Sequence, residues 1–470
     1  MAKPSVWLGR RESAAPHQKA KARFSCVLIV ECVGRPDENP AFGFFWRSRN
    51  TTGPRLIWRP HEARPLVVNL TRFTLSIAFG LVVVLWPAAV GGANKESHTQ
   101  DPIHHYGGGT GALQAVVVDD VPLVHTTQVL PVGPDGELSK SGDFKAQAEQ
   151  VLNTLASVLQ AANSALARTV KLNVYVANPE FISEAWASLQ TRFPGSNQPA
   201  ATVIVTTLPK DGALVAMDAV AVAEESSPAV KFITNPAVEK DVCAAAVLPA
   251  GSKIYLSGMA DTNALPQATR KTLEKLMAAL SHLGLQKTDV VQLKAFLEPM
   301  ANAELVRKEV IEFFGESTPP LVLVEWRSPS PNPPIEIELI AKAKRDPGTE
   351  TETVSFLTPP GTTSTKVFSR VARVNHGKLI YMSGLSGRVT ATRDIFTAIR
   401  QISAACGSDL EHLVKATYYV SSEEASKAVN DIRPEFFNPQ RPPAASKAMM
   451  ASVPPSEKTA VMVDMIAVTK

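Results

Sequence analysis

Cysteine is scarce here: Cys26, Cys32, Cys243 and Cys406 are the full set in 470 residues. None stands in a CxxC pair or at metal-ligand spacing, so a redox motif or a zinc site of the usual kind is excluded. Cys243 and Cys406 read instead as small buried apolar residues. The nine histidines are scattered, and the one loose cluster, His98, His104 and His105, reads as part of a solvated linker. No metal and no cofactor is expected. The glycine run Gly107–Gly111 lacks the Gly-Lys-Ser/Thr ending of a phosphate loop, which excludes that mode of nucleotide binding.

A basic surplus is lacking where it would matter. The net charge is +4, but residues 1–66 hold 12 Lys+Arg against 5 Asp+Glu, which leaves 48 − 12 = 36 against 44 − 5 = 39 for the rest. A slightly acidic body has no electrostatic footprint for a nucleic acid, and no nucleic-acid partner is expected. Long apolar runs are also lacking, with one exception. Arg72 precedes Phe73–Trp86, and small residues follow to Ala93, a secretory pattern over residues 67–93 that lies unusually far from the start. The readings are export (periplasmic or extracellular) with cleavage near Ala93, or an uncleaved membrane anchor through residues 73–90. A third leaves the segment unused in a cytoplasmic protein. Residues 1–66, rich in Arg, Pro, Ser and Trp without periodicity, read as a disordered or over-extended N-terminal extension.

What is abundant is self-similarity. Gly251-Ser-Lys-Ile-Tyr-Leu-Ser-Gly258 returns as Gly377-Lys-Leu-Ile-Tyr-Met-Ser-Gly384, and a worn version, Val124-His-Thr-Thr-Gln128, comes earlier. Thr127, Ser257 and Ser383 are 130 and 126 residues apart, and the acids Asp218, Glu338 and Asp464 are 120 and 126 apart. This period means tandem domains of ordinary size, at residues 103–224, 229–345 and 353–470. Helical spacing predicts helices over 144–162, 182–192, 268–283, 304–314, 392–406 and 425–437. Alternation predicts strands between them, including Lys171–Val176, where Leu172, Val174 and Val176 face away from Lys171, Asn173 and Tyr175.

The order ββαβαββ resembles the reactive intermediate deaminase family (RidA or YjgF, also described as L-PSP endoribonuclease). Ser-Gly follows an early strand and Pro-x-x-[Ser/Thr] opens the penultimate one. Gly284-Leu285, Pro443-Ala-Ala-Ser446 and Ile335-Glu-Ile-Glu-Leu-Ile-Ala341 also carry the resemblance. It covers all three copies. It implies an α+β fold of three tandem chorismate-mutase-like domains forming an intramolecular pseudo-trimer, with a central β-barrel, outer helices and a pocket at each seam. A monomeric pseudo-trimer is therefore expected, with a small carboxylate or imine metabolite as partner.

The resemblance further implies hydrolysis of reactive enamines and imines to 2-oxo acids and ammonia. In the family an arginine holds the substrate carboxylate, and the first glutamate of a Glu-x-Glu motif handles the water. Carry-over is partial. The arginine position is Ala445 in the third copy, Ala200 or Ala201 in the first, and Pro320 or Leu321 in the second. The glutamate position is Ala216, Glu336 and Met462 in turn, so Glu336 is the one candidate catalytic acid. Ser257, Gly258, Ser383, Gly384, Thr127, Phe368 (at the family's pocket tyrosine), Ala445 and Lys447 are candidate substrate contacts. Lys447 is a candidate substitute cation, as are Arg441 just upstream and Arg327 at the end of the second copy's matching strand. Two functions stay open: a deaminase with degenerate sites, and a non-catalytic small-metabolite-binding protein.

Overall fold

The computed structural model describes residues 101–107, 113–225, 227–239, 242–328, 332–344, 351–450 and 460–470. The N-terminal extension, the hydrophobic segment, Cys26, Cys32 and His98 lie outside the described residues. In the first repeat the elements run β1 (Ile103–Gly107), β2 (Leu113–Val118), β3 (Leu123–Thr126), α1 (Phe144–Ala161), β4 (Thr169–Val176), α2 (Ile182–Arg192), β5 (Ala200–Val205) and β6 (Val215–Val222). The second repeats this as β7 (Lys231–Ile233), β8 (Ala245–Leu248), β9 (Lys253–Asp261), α3 (Gln267–His282), β10 (Val290–Leu297), α4 (Ala303–Phe314), β11 (Leu321–Glu325) and β12 (Ile335–Lys342). The third has β13 (Val354–Leu357), β14 (Val371–Val374), β15 (Leu379–Met382), β16 (Leu385–Gly387), α5 (Thr392–Ala405), β17 (Leu413–Val420), α6 (Glu423–Ile432), β18 (Ala444–Met449) and β19 (Val461–Val468).

The helices form where apolar spacing and caps agree. Asp143 caps α1 by accepting from the Ala146 amide at 3.0 Å, and Phe144, Ala148, Val151, Leu155, Val158 and Leu159 make its buried face. That face packs on Leu172, Val174, Val215 and Met217 of the sheet behind it. Each fully buried Leu, Val or Phe there contributes about 1.5–3 kcal/mol, which outweighs helix propensity in holding α1.

The first two strands of each repeat pair with one another but not with the rest of their own repeat. β2 leaves for the third repeat's sheet, whose order is β1-β2-β15-β19-β17-β18, with β16 also on β19. β7 and β8 join the first repeat's sheet, β5-β4-β6-β3-β8-β7, and β13 and β14 join the second's, β11-β10-β12-β9-β14-β13. Every repeat thus lends its first two strands to the repeat before it, and the first lends to the third. The expected early strand pair of repeat 1 is in fact split between two sheets. Among the described residues the strands make three sheets, and one apolar cluster (Val118, Leu248, Tyr255, Val374 and Tyr381 among others) draws on all of them.

The links between lent and retained strands are tied to one another. Asp120 accepts from the Gly251 amide at 2.9 Å and pairs with Lys253 at 3.0 Å; Ser252 donates to the Asn375 carbonyl at 3.0 Å; Lys378 pairs with Asp119 at 2.7 Å. Lys253 is 2% exposed, and Asp120 is the carboxylate paired with it. Asp120→Ala is expected to lower stability by about 1–3 kcal/mol, read as a urea midpoint shift with unchanged slope.

The inner faces of β4, β10 and β17 hold polar residues, yet these strands are buried on both sides. Lys171 of repeat 1 pairs with Asp464 of repeat 3 at 2.6 Å, and Lys415 of repeat 3 pairs with Glu338 of repeat 2 at 2.6 Å. The third equivalent place holds Gln292, which donates to the Thr126 carbonyl at 2.9 Å, as Lys171 does to that of Met382 at 2.8 Å. The lysine of repeat 2 stands two residues on, as Lys294. Asp218, without an equivalent lysine partner, accepts from Tyr175 at 2.6 Å and Asn173 at 3.0 Å. Apart from Tyr175, these side chains and His125 line a cavity of about 50 Å³. Burial holds His125 down at about 4, which leaves its ring neutral near pH 7.

Candidate functional site

Register settles the equivalences. In the parallel pairs Lys171 faces Ala200 and Lys415 faces Ala444, while Leu293 faces Leu321. The family arginine position is therefore Ala201, Leu321 and Ala445. In the antiparallel pairs Tyr175 faces Ala216, Phe296 faces Glu336 and Tyr419 faces Met462, so these three share the acid position.

The seam between repeats 2 and 3 keeps a polar site. β9 carries Ser257-Gly258 there, at the register shift of its pairing with β12, flanked by two stretches of repeat 3. The Ser257 amide donates to the Arg370 carbonyl at 2.9 Å, while its hydroxyl donates to the Ser369 carbonyl at 2.6 Å and accepts from the Ala445 amide at 2.8 Å. The Gly258 amide donates to the Ser446 hydroxyl at 3.2 Å. Arg370 donates through Nη1 to the Gly258 carbonyl at 2.7 Å and through Nε to that of Thr363 at 3.2 Å, and its guanidinium lies 5.4 Å from the Phe368 ring centroid.

Glu336 enters the seam from β12, against Gly258. Burial, then repulsion by Glu338, pushes its carboxyl up to about 7, while Ser446, Lys415 and Arg370 pull the other way. Burial also draws the Arg370 guanidinium below its ordinary range, with Glu336 opposing. The glycine is required for space: a methyl group at position 258 would run into the Glu336 side chain. In Gly258→Ala the carboxyl is expected to swing out, its titration midpoint falling from about 7 toward the ordinary carboxylate range, as read by carboxyl-carbon NMR.

The other two seams lack an acid at the position of Glu336. Between repeats 1 and 2 the Thr127 hydroxyl donates to the Leu321 carbonyl at 2.9 Å. Gln128 stands where Gly258 does, and its amide bonds both the carbonyl (3.0 Å) and the amide (3.3 Å) of Leu323. Between repeats 3 and 1 the Ser383 amide donates to the Gln114 carbonyl at 3.0 Å and the Gly384 amide to that of Ala201 at 2.9 Å. The Thr202 side chain lies against Gly384. Ala216 and Met462 pack with Tyr175, Phe296, Trp326 and Tyr419 in an apolar cluster.

Glu336, Ser257, Gly258, Phe368 and Ala445 are thus brought together at one seam. Thr127, Ser383 and Gly384 belong to the others, and the Ser257 and Thr127 hydroxyls are engaged in stitching repeats together. Lys447 is held away by Ser426 (2.8 Å) and Asn430 (3.1 Å) of α6. Arg441 bonds the Val354 carbonyl at 3.0 Å and that of Glu411 at 3.4 Å. Arg370 and Ser446 were not anticipated as site residues. Arg370 is a lone charge in Val367-Phe-Ser-Arg-Val371, but its neighbourhood depends on strand exchange, which no local pattern shows. Cys243 and Cys406 are buried free thiols, both pushed up by burial to about 11. Among the described residues no helix is long and apolar enough to cross a membrane, and no acid, His and Cys cluster could hold a metal.

Comparison with known proteins agrees with this architecture. The profile of the family described as endoribonuclease L-PSP matches residues 112–223, 244–343 and 363–469, once per repeat and over more than half of the chain. The chain belongs to the L-PSP endoribonuclease (RidA/YjgF) family. Protein HMF1 of Saccharomyces cerevisiae is 30% identical over 99 residues, which are 21% of this chain and 75% of that relative. Solved family structures each match about one repeat. A conserved Rid-family protein of unknown function from Yersinia pestis is 27% identical, covering 23% of this chain and 85% of its own, with a TM-score of 0.23. The YjgF gene product of E. coli is 25% identical over 24% of this chain and 87% of its own, with a TM-score of 0.20.

Proposed function

We propose that the seam between repeats 2 and 3 hydrolyses small 2-imino acids, formed from enamines such as 2-aminoacrylate, to 2-oxo acids and ammonia. The observation that carries this is the Glu336 carboxyl, raised to about 7 beside Gly258, Ser446 and a cation. A general base is most effective with a pKa near working pH. Glu336 takes a proton from water as its oxygen adds to the imine carbon. The carboxyl returns that proton to the nitrogen, giving the neutral tetrahedral carbinolamine, and then relays the hydroxyl proton to the amine as the C–N bond breaks, so that the 2-oxo acid forms and ammonia leaves. Water is consumed, and no redox partner is needed.

A second reading has an observation of its own. Ala445 stands at the family's arginine position, and a lost charge-assisted contact costs about 1.5–3 kcal/mol of substrate affinity. A binding protein that no longer turns substrate over would tolerate this. An RNA substrate has less support, because residues outside 1–66 carry 36 basic against 39 acidic side chains. The test is release of ammonia and pyruvate from 2-iminopropionate by the full chain. Turnover above the buffer rate is expected. Its absence, with saturable pyruvate binding retained, would leave the binding-protein reading.

A further inference from the structure

We infer that Arg370 is the carboxylate anchor of the seam between repeats 2 and 3, supplied from the opposite side of Ser257-Gly258 to the family's arginine position at Ala445. This rests on the reading of that seam as a site for small imino or oxo acids.

The first argument is co-occurrence within one chain. The residue whose carbonyl accepts from the Ser257, Thr127 or Ser383 amide is Arg370 at one seam, Ala244 at the second and Gln114 at the third. The acid position at the same seams is Glu336, Ala216 and Met462. Arginine and acid come from unrelated segments, a bend just before β14 and strand β12, yet these two positions hold both groups at one seam and neither at the other two. An arginine needed only to brace the Ser-Gly stretch of β9 would have no reason to follow the acid.

The second argument is geometry. The bonds to Gly258 and Thr363 engage Nη1 and Nε and fix the plane of the guanidinium, while Nη2 is in neither. The Phe368 ring lies beside it. Glu336 and Arg370 sense one another electrostatically, but among the described residues they do not close to an ion pair. A half-buried cation that senses a half-buried acid without pairing with it suits a ligand with a carboxylate at one end and an electrophilic carbon at the other. A fixed planar fork is the donor that suits a carboxylate.

The experiment is binding of pyruvate and of pyruvamide, its uncharged amide, to the full chain by ligand-observed NMR or calorimetry. Wild type, Arg370→Gln and Arg370→Lys are compared, with folding checked by urea midpoint. Wild type is expected to prefer pyruvate, and Arg370→Gln to weaken pyruvate by about 10- to 100-fold while pyruvamide is unchanged. Arg370→Lys should fall between. Equal weakening of both ligands would mean a bracing role and overturn the assignment, as would unchanged pyruvate binding. If wild type binds neither ligand, the reading of the seam fails and the anchor with it.

Discussion

Lys415→Met is expected to lower the unfolding free energy by about 3–5 kcal/mol, because it leaves a carboxylate buried without its counter-ion. The Lys415 ammonium lies 2.6 Å from Glu338, with the two side chains 7% and 6% exposed. It also donates to Thr417 at 3.0 Å. The pair joins β17 of repeat 3 to β12 of repeat 2, so its loss weakens a joint between repeats as well as a strand. The double variant Lys415→Met/Glu338→Leu should recover most of the loss, since desolvating two ions offsets much of their attraction. Gln292→Met makes the contrast. The equivalent place there is already neutral and makes one bond to the Thr126 carbonyl, so its loss costs about 1–3 kcal/mol. Urea midpoints of the four proteins test this ranking. A Lys415→Met variant within 1 kcal/mol of wild type would show that the centre is wet enough to solvate Glu338.

The other large effect is on chemistry. Glu336→Gln is expected to reduce imine hydrolysis by two to four orders of magnitude, the usual contribution of a placed general base, with the fold intact. The pH dependence carries the sign. The carboxyl sits at about 7 in the folded chain against 4.5 for an ordinary glutamate. The base form therefore fills as pH rises through about 7, and the wild-type rate should rise over that limb and then level off. Residual activity of the glutamine variant should lack the limb. Stability should move the opposite way. A carboxyl raised on folding contributes stability that is fully present below about 4.5 and lost as pH rises through about 7. Glu336→Gln should flatten that part of the stability profile. A wild-type limb retained in the variant would assign the titration to another group.

Much of this fold was legible in the chain. Helices expected at 144–162, 182–192 and 304–314 are observed at Phe144–Ala161, Ile182–Arg192 and Ala303–Phe314, because spacing and caps are local. The last helix ends at Ile432 instead of 437, since Pro434 lacks an amide hydrogen and the turn there tightens to a 3₁₀ segment. Strand partners were not legible: alternation says which face of β2 is apolar but not that Val117 lies opposite Ile380. The same gap explains the site. Glu336 and Gly258 lie in one repeat, each in a motif of its own, so they could be named. Arg370 reaches them only after β14 has crossed to β9, and Lys447 is drawn off by Asn430 of a helix whose packing no spacing rule reports.

The lending of strands around the ring has a consequence for chain order. β1 lies three strand positions from β19, about 14 Å at the usual strand spacing, within one sheet. The described ends are therefore as near to one another as adjoining repeats are. A linker of a few residues could join them, and the chain could then be opened between β12 and β13 without unpairing any of the described strands. Such a circular permutant would start from a different repeat and rebuild the same three sheets. Which repeat comes first is an accident of where the chain is cut, and the identity of each seam is set by its side chains alone.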